Sequence, residues 1–145
     1  MTSNFSNARY LWKYSNNNWH FYSADAGLRT LAQSYGYTLF SQITPGEGFW
    51  IFNTHNEELN FNGNSYNLIQ KPLFQNLLPQ AWHLLGTGQS VSAETLVPEL
   101  LWTYSQTSGW KIHTSNSELI TTIEEKAIPR TNTITQGQGF WIYKK

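Results

Sequence analysis

The chain has no cysteine, a single methionine and a single aspartate, and only 12% of its 145 residues are charged. Each shortage removes a class of chemistry. Without cysteine there is no disulfide framework, thiolate zinc site or thiol nucleophile, although this does not decide the compartment. With Asp25 as the sole aspartate, an oxygen-rich calcium site is not expected. Lysine plus arginine equal aspartate plus glutamate, the net charge is zero, and no basic run collects phosphate charge, so no nucleic-acid partner is expected. No apolar run approaches the roughly 20 residues of a membrane span. The polar opening Met1-Thr2-Ser3-Asn4 does not read as a signal peptide. No cofactor or metal is implied. The length suits one domain or two very small lobes, each marginal alone.

What the chain does have is aromatic residues, at 16%, and it places them twice. Leu11-Trp12-Lys13-Tyr14-Ser15 returns as Leu101-Trp102-Thr103-Tyr104-Ser105, and Gly46-Glu47-Gly48-Phe49-Trp50-Ile51-Phe52 returns as Gly137-Gln138-Gly139-Phe140-Trp141-Ile142-Tyr143. From Trp19 to Phe52 and from Trp110 to Tyr143 the two passes align without a gap, at an offset of 91. Six of the seven tryptophans fall in three matched pairs, and Trp82 stands alone. A repeated pattern of large aromatics specifies packing first.

Each pass reads as two strands, a short helix and a closing strand. Tyr10–Ser15 and Trp19–Ser23 flank Asn16-Asn17-Asn18, and the second pass turns at Gln106-Thr107-Ser108-Gly109, so both read as hairpins. Leu28, Leu31, Ala32 and Tyr35 share a helical face that Gly36 stops. In the second pass Ser117 is the expected N-cap, Leu119, Ile123 and Ala127 share a face, and Pro129 ends the helix. The closing strands are Ile43–Phe52 and Ile134–Tyr143, apolar on both faces and therefore expected to be central. A strand rather than a helix follows each Gly-x-Gly, so a tight turn or close backbone approach is read there and not a phosphate loop.

Between the passes, Leu59–Phe61 and Tyr66–Leu68 flank Asn62-Gly63 as a hairpin, expected to pair with the first sheet. A Trp82 strand over Ala81–Gly88 and a capped turn at Ser92–Leu96 follow. The expected fold class is mainly β with short helices, a β-rich α+β arrangement of two pseudo-equivalent units. The expected division is one duplicated domain over 1–145, with unit 1 at about 1–53, a bridge at 54–80 and unit 2 at about 81–145. The first pass lacks a counterpart of the Trp82 strand.

Residues that could carry catalysis do not recur. His20 aligns with Lys111, His113 with Tyr22, and Glu47 with Gln138, and no Gly-x-Ser-x-Gly elbow or carboxylate pair appears. The protein is expected not to be an enzyme. The aromatics admit two readings. Trp12 and Tyr14 share one strand face, as do Trp102 and Tyr104, and Trp50 and Trp141 lie in the closing strands. Buried, these six build a core; exposed, they form a stacking platform for sugar rings, with Asn, Gln and Ser nearby for hydroxyls. They are the candidate ligand-binding residues.

Trp82-His83-Leu84-Leu85-Gly86-Thr87-Gly88, then Leu101-Trp102-Thr103-Tyr104, Trp110, and Gly137-Gln138-Gly139-Phe140-Trp141-Ile142, resembles a repeat of large bacterial exported and surface proteins. Its pattern runs G-W-N-L-L-G-T, V-W-x-Y, W, G-x-G-F-W-V. The full pattern covers Gln80–Lys145 and a partial copy covers about Tyr10–Phe52, with Ala81 for the usual Gly and His83 for the usual Asn. The resemblance implies an extracellular or cell-surface location, a C-terminal module and a larger parent chain, but no activity. Two functions are thus expected as alternatives: an accessory module binding glycan or a surface protein ligand through exposed aromatics, or a purely structural or protein-interaction repeat.

Overall fold

A computed structural model describes residues 8–53 and 64–145. The protein is mainly β with three short helices and several sheets. Ten strands run β1 (Ala8–Ser15), β2 (Asn18–Tyr22), β3 (Thr38–Leu39), β4 (Trp50–Asn53), β5 (Ala81–Gly86), β6 (Val91–Ser92), β7 (Leu100–Ser105), β8 (Gly109–His113), β9 (Thr133–Ile134) and β10 (Gly139–Lys144). The helices are α1 (Ala26–Ser34), α2 (Pro72–Gln75) and α3 (Ser117–Glu125). The first sheet is ordered β3-β2-β1-β4, the second β5-β10-β7-β8, and β6 pairs with β9 apart from both.

Local chemistry explains both hairpins. Asn16 and Asn17 have φ of 52° and 58°, the left-handed pair a two-residue turn needs, so Asn18 belongs to β2. The β7–β8 loop is one residue longer and closes on Gly109 at φ 68°. α1 and α3 start on capping side chains 91 positions apart: Asp25 accepts from Leu28 N–H, and Asn116 accepts from Glu118 N–H. The cap is thus Asn116 rather than Ser117, which is the first helical residue. Ser23 and Thr114 also match: each hydroxyl donates to a backbone carbonyl at the start of its hairpin, Arg9 or Glu99, and accepts the N–H two residues on.

Four expectations need correction. The face of α1 is hardly covered, because only Ala32 is buried while Leu31 and Tyr35 are exposed. Ala127 lies beyond α3, at φ 50°. The closing strands are shorter than expected, since a turn at Thr44–Glu47 and its counterpart at Thr135–Gln138 precede them; β10 is central, but β4 ends its sheet among the described residues. Tyr66–Leu68 is not a strand: Asn67 caps a 3-10 turn over Leu68–Gln70. The other half of the expected hairpin, Leu59–Phe61, lies outside the described residues.

The Gly46–Gly48 turn instead reaches across to β5. Gly86 N–H donates to Gly46 O at 2.9 Å and Gly48 N–H to Leu84 O at 3.1 Å, so β5 bonds β10 on one edge and this turn on the other. A Cβ on Gly48 would stand 2.5 Å from Leu85 O, which is why only glycine fits. Tyr66 fastens the junction: its hydroxyl accepts from Gly46 N–H at 2.9 Å and donates to Gly86 O at 3.0 Å.

Each sheet packs one face on an apolar cluster, and the opposite face also buries Phe21 in the first sheet and Leu84 and Ile112 in the second. Behind the second lie Leu68, Phe74, Leu85, Ala93, Leu96, Leu101, Ile134, Phe140 and Ile142; behind the first lie Ala8 and Leu11, with Tyr22, Phe40, Ile43, Phe49 and Ile51 half-buried against them. Strand alternation then turns the tryptophans to the opposite faces, which positions the site.

Candidate functional site

Cross-strand register assembles the aromatic face. Trp12 stands opposite Trp50 on β4 and Phe21 on β2, and Tyr14 stands opposite Trp19. In the second sheet Trp102 stands opposite Trp141, Tyr104 opposite Trp110, and Trp82 opposite Tyr143. Opposite residues share a face, so all six sequence-derived candidates lie on these two aromatic faces. None of the seven tryptophans is buried, and Trp19, Trp82 and Trp110 are 36%, 37% and 44% exposed.

The two faces meet through a reciprocal exchange. Trp141 of β10 reaches Tyr14 and Trp19 of the first sheet, with ring centroids at 5.2 and 5.7 Å. Trp50 of β4 reaches Tyr104 and Trp110 of the second sheet at 5.6 and 5.9 Å. Those are corresponding positions of the two passes. Tilted and edge-on pairs at such distances each contribute about 0.5–1.5 kcal/mol beyond area burial, so the exchange both joins the sheets and aligns the rings.

Two open hollows result. The larger, of about 630 Å³, is lined by Tyr14, Trp82, Trp102, Trp110 and Trp141. The smaller, of about 300 Å³, is lined by Trp12, Trp19, Tyr37 and Trp50. In each, the wall is a perpendicular tryptophan corner: Trp102 and Trp110 at 86° and 6.3 Å, Trp12 and Trp19 at 89° and 6.2 Å. Ser105 and Gln106 line a hollow between the sheets with Trp50, Trp102 and Trp141. Asn16, Asn17 and Asn76 border Tyr14 and Trp82 on the other side.

Trp19, Trp110, Trp82 and Tyr37 are absent from the six candidates. The signal for Trp19 and Trp110 was their recurrence in the repeat, opposite Tyr14 and Tyr104 once the hairpins are paired. Trp82 had no partner to mark it, and Tyr37 is brought to Trp12, at 4.7 Å, by the parallel pairing of β3.

Several titratable groups off this face have partners. Lys13 donates to Glu47 at 2.9 Å, and the second Glu47 oxygen accepts from Thr44 N–H at 2.7 Å. Gln138 caps Thr135 N–H in the same way at 3.2 Å. Buried His113 lies 3.0 Å from both Glu94 and Thr131 O. Burial raises the phenol pKa of Tyr66, partly countered by the Gly46 N–H it accepts. Among the described residues no three His, Asp or Glu side chains group to hold a metal, and no helix is long and apolar enough to cross a membrane. Comparison with protein-family models, curated proteins and solved structures gives no match.

Proposed function

We propose that this protein is a non-catalytic module of a bacterial exported or surface protein, and that it binds glycan through its exposed aromatic face. The observation that carries the reading is the partial exposure of all seven tryptophans. Full burial of a large apolar side chain is worth roughly 1.5–3 kcal/mol, and clustered rings that forgo it mark an interaction surface more than scattered ones do. Sugars offer apolar C–H faces to such rings and hydroxyls to their surroundings. Ser105, Gln106, Asn16 and Asn17 border the rings and suit those hydroxyls. The resemblance to repeats of large surface proteins supports an extracellular setting within a longer parent chain. Glu47 and His113, the groups closest in type to a general acid or base, are engaged in holding turns and strands, which supports the non-catalytic reading.

The test is a glycan array followed by tryptophan fluorescence titration of each hit. A bound glycan should shift the emission, and Trp19→Ala or Trp110→Ala should weaken it. The reciprocal ring contacts between the sheets favour a second reading, a structural or protein-interaction repeat whose rings serve packing. That reading prevails if no glycan binds and the same substitutions lower stability alone.

A further inference from the structure

The larger hollow is chemically unlike the rest of the aromatic face. Its lining is Tyr14, Trp82, Trp102, Trp110 and Trp141, with no carboxylate, amide or Ser/Thr hydroxyl. A hydroxyl-rich group seated there would lose hydrogen bonds to water with little to replace them. The groups that could serve hydroxyls, Ser105 and Gln106, line the adjoining hollow instead. Ring geometry points the same way. A flat sugar ring stacks on one plane, whereas Trp102 and Trp110 stand at 86° and form a corner that touches a compact, nearly spherical group on two sides.

We infer that the larger hollow takes a quaternary ammonium group, carried as a substituent on the surface glycan. The inference rests on the glycan-binding reading of the face and names the part of the ligand that this hollow recognises. A trimethylammonium group cannot donate a hydrogen bond, so an all-aromatic lining leaves none unmet, and the electron-rich ring faces attract its charge. No internal cation competes. Among the described residues, lysine ammonium groups stand over Phe40, Tyr66 and Phe74, none of which lines the hollow. The smaller hollow repeats the corner with Trp12 and Trp19 at 89°, and Tyr37 stands at 78° to Trp12, so it offers a second, smaller seat.

The experiment titrates the intact protein with choline, with its uncharged carbon analogue 3,3-dimethylbutan-1-ol, and with ammonium chloride, following tryptophan emission and heat. Choline should bind saturably and about tenfold or more tighter than the alcohol, with no saturable ammonium binding. Trp110→Ala should weaken choline about tenfold; Trp82→Ala, on a different strand, tests the same hollow should the first variant not fold. Equal binding of alcohol and choline, or binding of neither, overturns the inference. If array glycans bind and choline does not compete, the ammonium seat fails while the glycan reading stands. Sedimentation with phosphatidylcholine vesicles, in the absence of any glycan hit, overturns the glycan as carrier.

Discussion

Leu11 and Leu101 occupy corresponding places on β1 and β7, and both are 0% exposed, yet their surroundings differ. Among the described residues, Leu101 packs within a cluster of nine buried residues, whereas Ala8 alone is buried beside Leu11 and its other apolar neighbours are half-buried. The difference has an identifiable source. Leu68, Phe74, Leu85, Ala93 and Leu96 all lie between the two passes, and they close the core of the second sheet. Similar strand sequences therefore give similar strands, while the depth of the second core comes from residues outside the matched strands. The first sheet compensates by borrowing β5 through the Gly46–Gly48 turn and by ring contacts with the second.

The largest expected effect probes this contrast directly. Leu101→Ala should cost about 4–5 kcal/mol, the upper end for a cavity in a closed core, and Leu11→Ala about 2–3 kcal/mol, because half-exposed neighbours can collapse inward. Urea denaturation of the two variants measures both. Equal costs would mean that the two cores respond as one.

The paired glycines sharpen the comparison next. Gly48 and Gly139 hold the same place in their motifs, but a Cβ on Gly48 meets Leu85 backbone at 2.5 Å while one on Gly139 meets its nearest atom at 3.7 Å. Gly48→Ala should cost about 3 kcal/mol by forcing the turn off β5, and Gly139→Ala well under about 1 kcal/mol. A neutral Gly48→Ala would show that the first sheet does not depend on that junction.

Tyr66→Phe attacks the same junction from the side chain. It leaves Gly46 N–H and Gly86 O without their shared partner and should cost about 2 kcal/mol. The phenol also carries a pH signature. Its folded pKa lies above the ordinary value of 10.0, mainly through burial, so the unfolded chain loses this proton first as pH rises. The contribution of the neutral phenol is complete below that value and is lost between it and the higher folded pKa. The stability gap between wild type and Tyr66→Phe should therefore narrow above pH 10. A gap independent of pH would remove Tyr66 from the junction's energetics.

Much of the fold was legible where chemistry is local. Asn16-Asn17 and Gly109 specify their turns, and the isolated apolar run at Trp82 announces β5. Legibility ended where a residue serves a distant partner. Tyr66 looks like a strand residue because it flanks an Asn-Gly turn, but its hydroxyl is used across the sheets and Asn67 caps a tight turn. Gly48 could be read as a close approach, not that Leu85 is what approaches. The candidate site was half legible for the same reason. Alternation places Trp12 with Tyr14 and Trp102 with Tyr104, yet it does not say which face meets water when both faces of β10 are apolar. That is decided by Phe140 and Ile142 filling the core, which turns Trp141 to the face that meets the first sheet's rings.

The smallest effect isolates a single charge. Glu47 and Gln138 cap equivalent turns, each accepting the N–H three residues before it, and each donating its own N–H to that residue's carbonyl at 3.0 Å. An amide oxygen performs this task as well as a carboxylate, so what distinguishes Glu47 is Lys13. Their side chains are 14% and 16% exposed, which makes the pair stronger than a surface ion pair. Lys13 nonetheless keeps Gln42 O at 3.3 Å and the Phe40 ring at 5.1 Å, so losing the carboxylate does not strand it. Glu47→Gln should thus cost only about 0.5–1 kcal/mol, and less at high salt, while Glu47→Ala loses the cap as well and costs about 1 kcal/mol more. Gln138→Glu, which has no lysine partner among the described residues, should change little. If Glu47→Gln proves as damaging as Glu47→Ala, the ion pair and not the cap holds the first turn, and the two turns are alike in shape only.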